Sequence, residues 1–388
     1  MATSNKSPRT PLSEVLPPLI LGTATFNHQY VDDPHSMPSV QIVKRALALG
    51  VSAFDTSPYY GPSEVILGNA LKTLHKVTKL APNPLKREDY FLITKAGRIA
   101  GDEFDYSPEW IRYSVFRSLE RLGTDHLDLV YTHDVEFVSF TEALAAVKEL
   151  RKLRDEGYLK YVGISAYPLD VLCDLAEFIH KETGEPIDAA MSYGHFTVQN
   201  TTLATQGLAR LKKAGVQVVP SASMLGLGLL STRGIDAGPM KVWHPASTGL
   251  KEVMKTVVQA VQAEGGRMET VALAYALSQW GARGADLGSK VQGNSTGISV
   301  MGVSTVDELE ETVRLWNESL STDPEAAKKN QEAKAFVEEK LWPILGNWKD
   351  NSWDSPGPCF VNTRKPEDKG KVPDDGLVEK YEASKPNV

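Results

Sequence analysis

Short, nearly unbroken apolar runs recur along the chain, separated by stretches whose apolar residues fall at helical spacing. The runs at 19–23, 51–55, 91–95, 127–133, 161–165, 189–193, 216–221 and 298–303 predict eight strands. Between them the pattern predicts helices over 40–49, 108–122, 140–156 and 203–214. Ser107 stands at the cap of the second, with Pro108 as its first helical residue, and Gly157 and Gly215 stop the last two. Strands that are apolar throughout, rather than alternating, are those buried on both faces of a parallel sheet. Eight of them alternating with helices predict an α/β fold, a closed (β/α)8 TIM barrel. An open doubly wound sheet alternates in the same way, and the strand count favours the barrel.

The pattern loosens after the seventh run. Residues 226–249 carry glycines and prolines without a strand, and helices are predicted at 251–263 and 269–280. A longer loop, 281–296, leads to the last strand, and helices over 306–316 and 323–341 follow it. From Trp342 a loop rich in Trp, Pro, Gly and Asn gives way to a charged tail, 364–388, expected to be extended or poorly ordered. The whole chain, 1–388, reads as a single barrel domain with a core at about 19–320 and a C-terminal helix, loop and tail at 321–388.

Length and composition narrow the function classes. The 388 residues suit one α/β barrel. A net charge of -7 and a pI near 5.7 argue against a nucleic-acid surface. No run of apolar residues is long enough to cross a membrane, and residues 1–11 lack the apolar core of a signal peptide. Two cysteines, Cys173 and Cys359, make no disulfide framework, so a reducing, cytoplasmic setting is expected. No seam decides between a monomer and a homodimer.

The chemistry gathers at the strand ends. Asp55, Lys95 and His133 close the second, third and fourth runs, and Tyr60 follows the first of them in Asp55-Thr56-Ser57-Pro58-Tyr59-Tyr60-Gly61. In a barrel these ends share one rim, where active sites lie. A phenol is a weak base at neutral pH, and a neighbouring ammonium favours the phenolate. Tyr60 is therefore read as the proton donor and acceptor, Lys95 as its tuner, Asp55 as the partner of Lys95, and His133 as the group that positions the substrate oxygen. With no strong nucleophile and no metal cluster, the chemistry needs a carrier, and hydride transfer to a nicotinamide fits.

These residues resemble the aldo-keto reductase signature, in Asp55-Thr56 through Tyr60-Gly61 to Glu64, with Lys95 and His133 completing its tetrad. The resemblance runs from about Leu19 to Trp316 and is strongest to the branch acting on D-arabinose and L-galactose. Pro58-Tyr59-Tyr60-Gly61-Pro62-Ser63-Glu64, Lys95-Ala96-Gly97-Arg98-Ile99 and Tyr131-Thr132-His133-Asp134-Val135-Glu136-Phe137 carry that likeness. It implies a nicotinamide cofactor touched by Gly22, Thr23 and Asp55, with Ser165 and Ser192 at the carboxamide. It places Ser223, Leu225, Gly226 and Gly228 at the pyrophosphate, and Gly302, Ser304, Glu308 and Glu311 at the adenosine. Ala166 and Ala222 stand where the family usually has Asn and a stacking Tyr. Gly226 and Gly228 do not make a Rossmann fingerprint, because Ser231 replaces the third glycine.

Relatives that prefer NADP place Lys or Arg where this chain has Val303 and Glu308. A carboxylate repels a 2′-phosphate and accepts from a free 2′-hydroxyl, so NAD is expected, with NADP as the alternative. The resemblance then implies oxidation of an aldose at C1 to its lactone, D-arabinose first. L-galactose oxidation and NADPH-dependent aldehyde or ketone reduction are the alternatives, and a non-catalytic nucleotide-sensing subunit is a third. Tyr60, His133, Asn27, His28, Tyr30, Tyr59, Asp134 and Trp243 are candidates to line the sugar pocket, with 342–353 closing over it.

Overall fold

The computed structural model describes residues 9–76, 84–236, 238–291 and 293–384. The polar N-terminal segment 1–8 and the last four residues of the tail lie outside the described residues. The elements run β1 (Leu19–Gly22), α1 (Ser39–Ala48), β2 (Ala53–Asp55), α2 (Ser63–Leu74), β3 (Phe91–Ala96) and α3 (Pro108–Leu122). Next come β4 (Leu127–Thr132), α4 (Phe140–Asp155), β5 (Leu159–Ala166), α5 (Leu169–Thr183) and β6 (Ala189–Tyr193). A π-helical turn (Leu203–Gly207) leads into α6 (Leu208–Lys213) and β7 (Ser221–Ala222). Then follow α7 (Met240–Trp243), α8 (Thr248–Ala263), α9 (Met268–Arg283), β8 (Ser299–Gly302), α10 (Val306–Leu320), α11 (Pro324–Phe336), α12 (Trp342–Leu345) and α13 (Leu377–Ala383).

The eight strands pair in parallel and in sequence order, and β8 pairs with β1, closing the barrel. Every strand residue but Lys160, Tyr193 and Gly302 is buried. One apolar layer fills the barrel: Ile20, Ala53, Ile93, Leu129, Tyr131, Met191 and Val300. A second, larger layer lies between strands and helices. A short helical turn at Leu12–Glu14 plugs the bottom with Leu12 and Leu16. Arg9 ties that plug to Asp188 at 2.5 Å, and Tyr161 donates to the Thr10 carbonyl at 2.7 Å.

Three local readings change. The seventh strand is shorter than the run 216–221 predicts. Val218 bridges to Ala189, but Pro220 has no N–H to give, and a regular ladder resumes only at Ser221. Helices α2 and α5 supply two members of the alternation to which the pattern assigns no bounds. Gly68 on α2 explains part of that, since it lets the helix approach α3 so closely that a Cβ would lie 2.1 Å from the Arg121 carbonyl. The charged tail is folded rather than extended: α13 buries Leu377, stacks Tyr381 on Phe116 at 5.0 Å, and receives the Tyr158 hydroxyl on the Tyr381 carbonyl at 2.6 Å. Its apolar residues, Leu377, Val378 and Tyr381, are too sparse to announce a docking face without the partner surface.

Candidate active site

Strand register gathers the chemistry. Asp55 stands opposite Ile93, and Lys95 lies two residues beyond Ile93 on the same face. Lys95 in turn stands opposite Tyr131, and His133 lies two residues beyond that. Each step to the next strand moves the functional residue two places toward the carboxyl end. All three therefore point inward at the barrel mouth, above Ile93, Tyr131 and Met191. Tyr60 is brought back over them by a turn in which its N–H bonds the Ser57 carbonyl at 3.1 Å. Gly61 continues that turn at φ 54°, and a Cβ there would meet Asn27 Oδ1 at 3.1 Å, so the turn calls for glycine.

Lys95 and Asp55 form a buried ion pair, with Nζ 2.6 Å from Asp55 Oδ1 and 3.0 Å from the Thr56 carbonyl. The ammonium sits 4.8 Å from the centre of the Tyr60 ring. Burial raises the Asp55 carboxyl against the opposing pull of Lys95. Asp55 Oδ2 has no hydrogen-bond partner among the described residues. The Tyr60 phenol lies well above its usual range, raised first by burial, then by Asp55 and Asp134, with Arg98 opposing. Lys95, the expected tuner, is not among the leading influences on it. The charge of Lys95 is neutralised by Asp55, and the phenol rests protonated.

His133 is neutral: burial lowers its pKa to about 3, with Lys95 and Arg98 adding to the effect and Asp134 opposing it. Ser57 Oγ lies 3.0 Å from Nδ1, and Asp134 Oδ2 lies 3.5 Å from Nε2. A carboxylate only accepts, so it favours the tautomer with hydrogen on Nε2, and Ser57 then donates to Nδ1. The ring stands at 89° to Tyr60, centroids 5.6 Å apart. The imidazole, with its Nε2–H, and the Tyr60 phenol thus stand edge to face in the mouth.

Around this centre the candidate rim residues come together. Asp134 is clamped by the Arg98 guanidinium and accepts from Tyr193 Oη at 3.2 Å. Arg98 lies over the Tyr59 ring, its Cζ 3.7 Å from the centre. Gln29 donates to Tyr59 Oη at 3.0 Å and receives Asn27 Nδ2 at 3.2 Å. Trp243 Nε1 donates to the Gln29 carbonyl at 2.9 Å and meets Tyr30 edge-on. The loops after β1, β2 and β7 are thereby joined. His28 is bound to the carbonyl of Asp32, within its own exposed loop.

The C-terminal segment reaches the same rim. Trp353 stacks on Tyr167 at 4.5 Å, Gln199 Nε2 donates to the carbonyls of Trp348 and Asn351, and Ser355 donates to Glu136 Oε1 at 2.9 Å. Glu136 has its carboxyl raised to about 8 by burial and the nearby Asp134, and its Oε2 is enclosed without a partner. Sequence reasoning assigned no role to Ser57, Arg98, Tyr106, Glu136 or Tyr167. Tyr106, for instance, donates its hydroxyl to the His133 carbonyl from a loop before α3. Only Arg98, one position past Gly97 at the end of β3, carried a positional signal. Clefts of about 560 Å3 beside α1, α10 and α11 and about 240 Å3 beneath the loop after β7 do not touch the tetrad.

The mouth also fits a dinucleotide. Ser223, Gly226, Leu227 and Gly228 all have positive φ, which folds the loop tightly at the mouth, with the Gly226 and Gly228 amides bonded to the Ser223 and Leu225 carbonyls. Asp55 Oδ2, within the tetrad itself, is enclosed and has no partner among the described residues. Ser165 Oγ donates to the Thr132 carbonyl at 3.3 Å and receives the Asp134 amide at 3.4 Å, long bonds that a stronger partner can displace. Ser192 Oγ lies 3.3 Å from His195 Nδ1. Thr23 is committed internally, to the Asp55 carbonyl and Ser63 Oγ, and Gly22 lies within 3.1 Å of the Met301 carbonyl at its absent Cβ. At the far end, next to the exposed Gly302, Glu308 accepts from Ser304 N and Oγ at 2.7 and 2.9 Å. Glu311 holds Thr270 and Arg267 of the α9 start.

Residues 18–329 match the model of the Aldo/keto reductase family. The chain is 40% identical to the D-arabinose 1-dehydrogenase of Saccharomyces cerevisiae over 294 residues, 75% of this chain and 80% of that one. It is 34% identical to the L-galactose dehydrogenase of Arabidopsis thaliana, covering 82% of this chain and 87% of the other. A D-threo-aldose 1-dehydrogenase from a Pseudomonas species is 32% identical over 49% of this chain and 60% of its own. Among the described residues no helix is long and apolar enough to cross a membrane.

Proposed function

The chain belongs to the aldo/keto reductase family of oxidoreductases, and we propose that it oxidises an aldose at C1 to the aldonolactone with NAD, D-arabinose being the preferred sugar. The observation that carries the reading is the inward convergence of Asp55, Lys95 and His133 under Tyr60. The names of the relatives support an aldose, and a polar rim with aromatic walls suits a polyhydroxylated substrate.

A bound nicotinamide supplies the hydride acceptor. The protein's part is to hold the anomeric hydroxyl between Tyr60 Oη and His133 Nε2 and to take its proton onto Tyr60. Because burial and Asp55 keep the phenol protonated, oxidation requires that Tyr60 first lose its proton, which favours alkaline pH. Lys95, fixed by Asp55, is the cation beneath the ring when the phenolate forms. His133 stays neutral throughout the accessible pH range and acts as a hydrogen-bond donor only.

Ser223, Leu225, Gly226 and Gly228 would hold the pyrophosphate, and Ser165 and Ser192 the carboxamide. Glu308 supports NAD: its carboxylate would repel a 2′-phosphate, and a 2′-hydroxyl could replace its 2.9 Å contact with Ser304 Oγ. The unpaired Cys173 and Cys359 suit a reducing, cytoplasmic setting.

The test is a panel of aldoses with NAD and with NADP, following the absorbance of the reduced cofactor. D-arabinose with NAD should give the highest kcat/KM. Equal kcat/KM with the two cofactors would remove the NAD assignment. Preference for aromatic aldehydes with NADPH would replace the sugar reading.

A further inference from the structure

We propose that Asp134 reads the hydroxyl on the carbon next to the one oxidised, so that the enzyme demands a 2-hydroxy aldose. The inference rests on the aldose reading above and names the substrate feature that site selects.

Strand alternation would turn Asp134 away from the side that His133 faces. It does not, because Asp134 adopts a left-handed backbone (φ 55°, ψ 63°), an uncommon conformation for a residue with a side chain. Its amide receives support from Ser165 Oγ at 3.4 Å. The kink swings the carboxylate back alongside the imidazole, with Oδ2 3.5 Å from Nε2. That is too long for a good hydrogen bond, so Nε2 remains free for the reacting oxygen.

The carboxylate is held rather than loose. Arg98 pairs with Oδ2, Tyr193 donates to Oδ1, and Arg98 is itself braced on the Tyr59 ring. Asp134 is 2% exposed, and against burial its carboxyl is lowered, with the Arg98 guanidinium and the Tyr193 hydroxyl holding the ionised form. Two oxygens offer about four acceptor sites. The clamp leaves acceptor capacity on the side facing His133. When the C1 oxygen sits on Nε2, the oxygen of the neighbouring carbon falls about one hydrogen-bond length away, within reach of Oδ2. An acceptor-only group takes an O–H and has no use for hydrogen or an ether oxygen at that position.

A desolvated charged acceptor is costly to leave facing an apolar group, and sites built for a hydroxyl reject the analogue lacking it strongly. The experiment compares kcat/KM for D-arabinose and for 2-deoxy-D-erythro-pentose, the same sugar without its C2 hydroxyl, in the wild type and in Asp134→Ala. The wild type should favour D-arabinose by about 100-fold or more beyond any difference in ring-form population. Asp134→Ala should lower D-arabinose more than the deoxy sugar, so that the ratio between the two falls toward 1. A wild-type ratio below about 5-fold overturns the proposal while aldose oxidation stands; this arm needs no variant to fold. Failure to oxidise either sugar, or any aldose, removes the aldose reading and this inference with it.

Discussion

Lys95→Met should destabilise the protein more than Asp55→Asn, and the difference should shrink in acid. At 2.6 Å and an effective dielectric near 20 the pair attracts by about 6 kcal/mol, but desolvating both ions offsets most of that. What breaking the pair exposes is an uncompensated buried charge, which costs about 3–5 kcal/mol. Lys95→Met leaves Asp55 with neither oxygen paired, since Oδ2 already lacks a partner. Asp55→Asn leaves the ammonium its Thr56 carbonyl at 3.0 Å and an amide oxygen, a smaller loss. For 388 residues the Lys95→Met cost lowers Tm by about 4–6 °C.

The pH dependence follows from burial, which already raises the Asp55 carboxyl and raises it further without Lys95. A carboxyl whose folded pKa lies above its unfolded one adds stability in acid and loses it as pH rises through the folded pKa. The deficit of Lys95→Met is therefore largest at pH 8 and smaller at pH 5. Thermal unfolding of the cofactor-free wild type, both single variants and the double variant at the two pH values measures all of this. The double variant should melt above Lys95→Met, because the stranded carboxylate is gone, while remaining inactive. If Lys95→Met melts within about 1 °C of wild type at pH 8, or the double variant is no more stable than Lys95→Met, the pair is not the buried ionised pair described here.

Two further outcomes are expected. Glu136, raised to about 8 from 4.5, stabilises the fold in acid and loses that contribution between roughly pH 4.5 and 8. Its partial contact with solvent discounts the change to about 2–3 kcal/mol, and Glu136→Gln should flatten the Tm-versus-pH curve over that window. An unaltered slope would refute the raised value. Truncation after residue 363 removes the Tyr381–Phe116 stack, buried Leu377 and the Arg364–Asp105 pair. It should lower Tm by about 5 °C and leave kcat within about 2-fold. An unchanged Tm would mean that α13 does not dock in solution.

The sequence by itself determined the barrel and the identity of its catalytic rim. Eight doubly buried strands announce themselves as unbroken apolar runs, and a functional residue at a strand end interrupts the run where Asp55, Lys95 and His133 stand. Those are local signals, carried by residues a few positions apart. The tertiary structure decided what depends on neighbours far along the chain. The two-residue step in register turns three strand ends into one inward cluster. A left-handed turn at Asp134 and a clamp from Arg98, 36 residues away, bring a second carboxylate to His133. The tail folds because Phe116 and Tyr158 are there to receive it. The protonation of Tyr60 was not legible either. Burial and two carboxylates outweigh Arg98, and burial is a property of the packed barrel, not of any segment of its sequence.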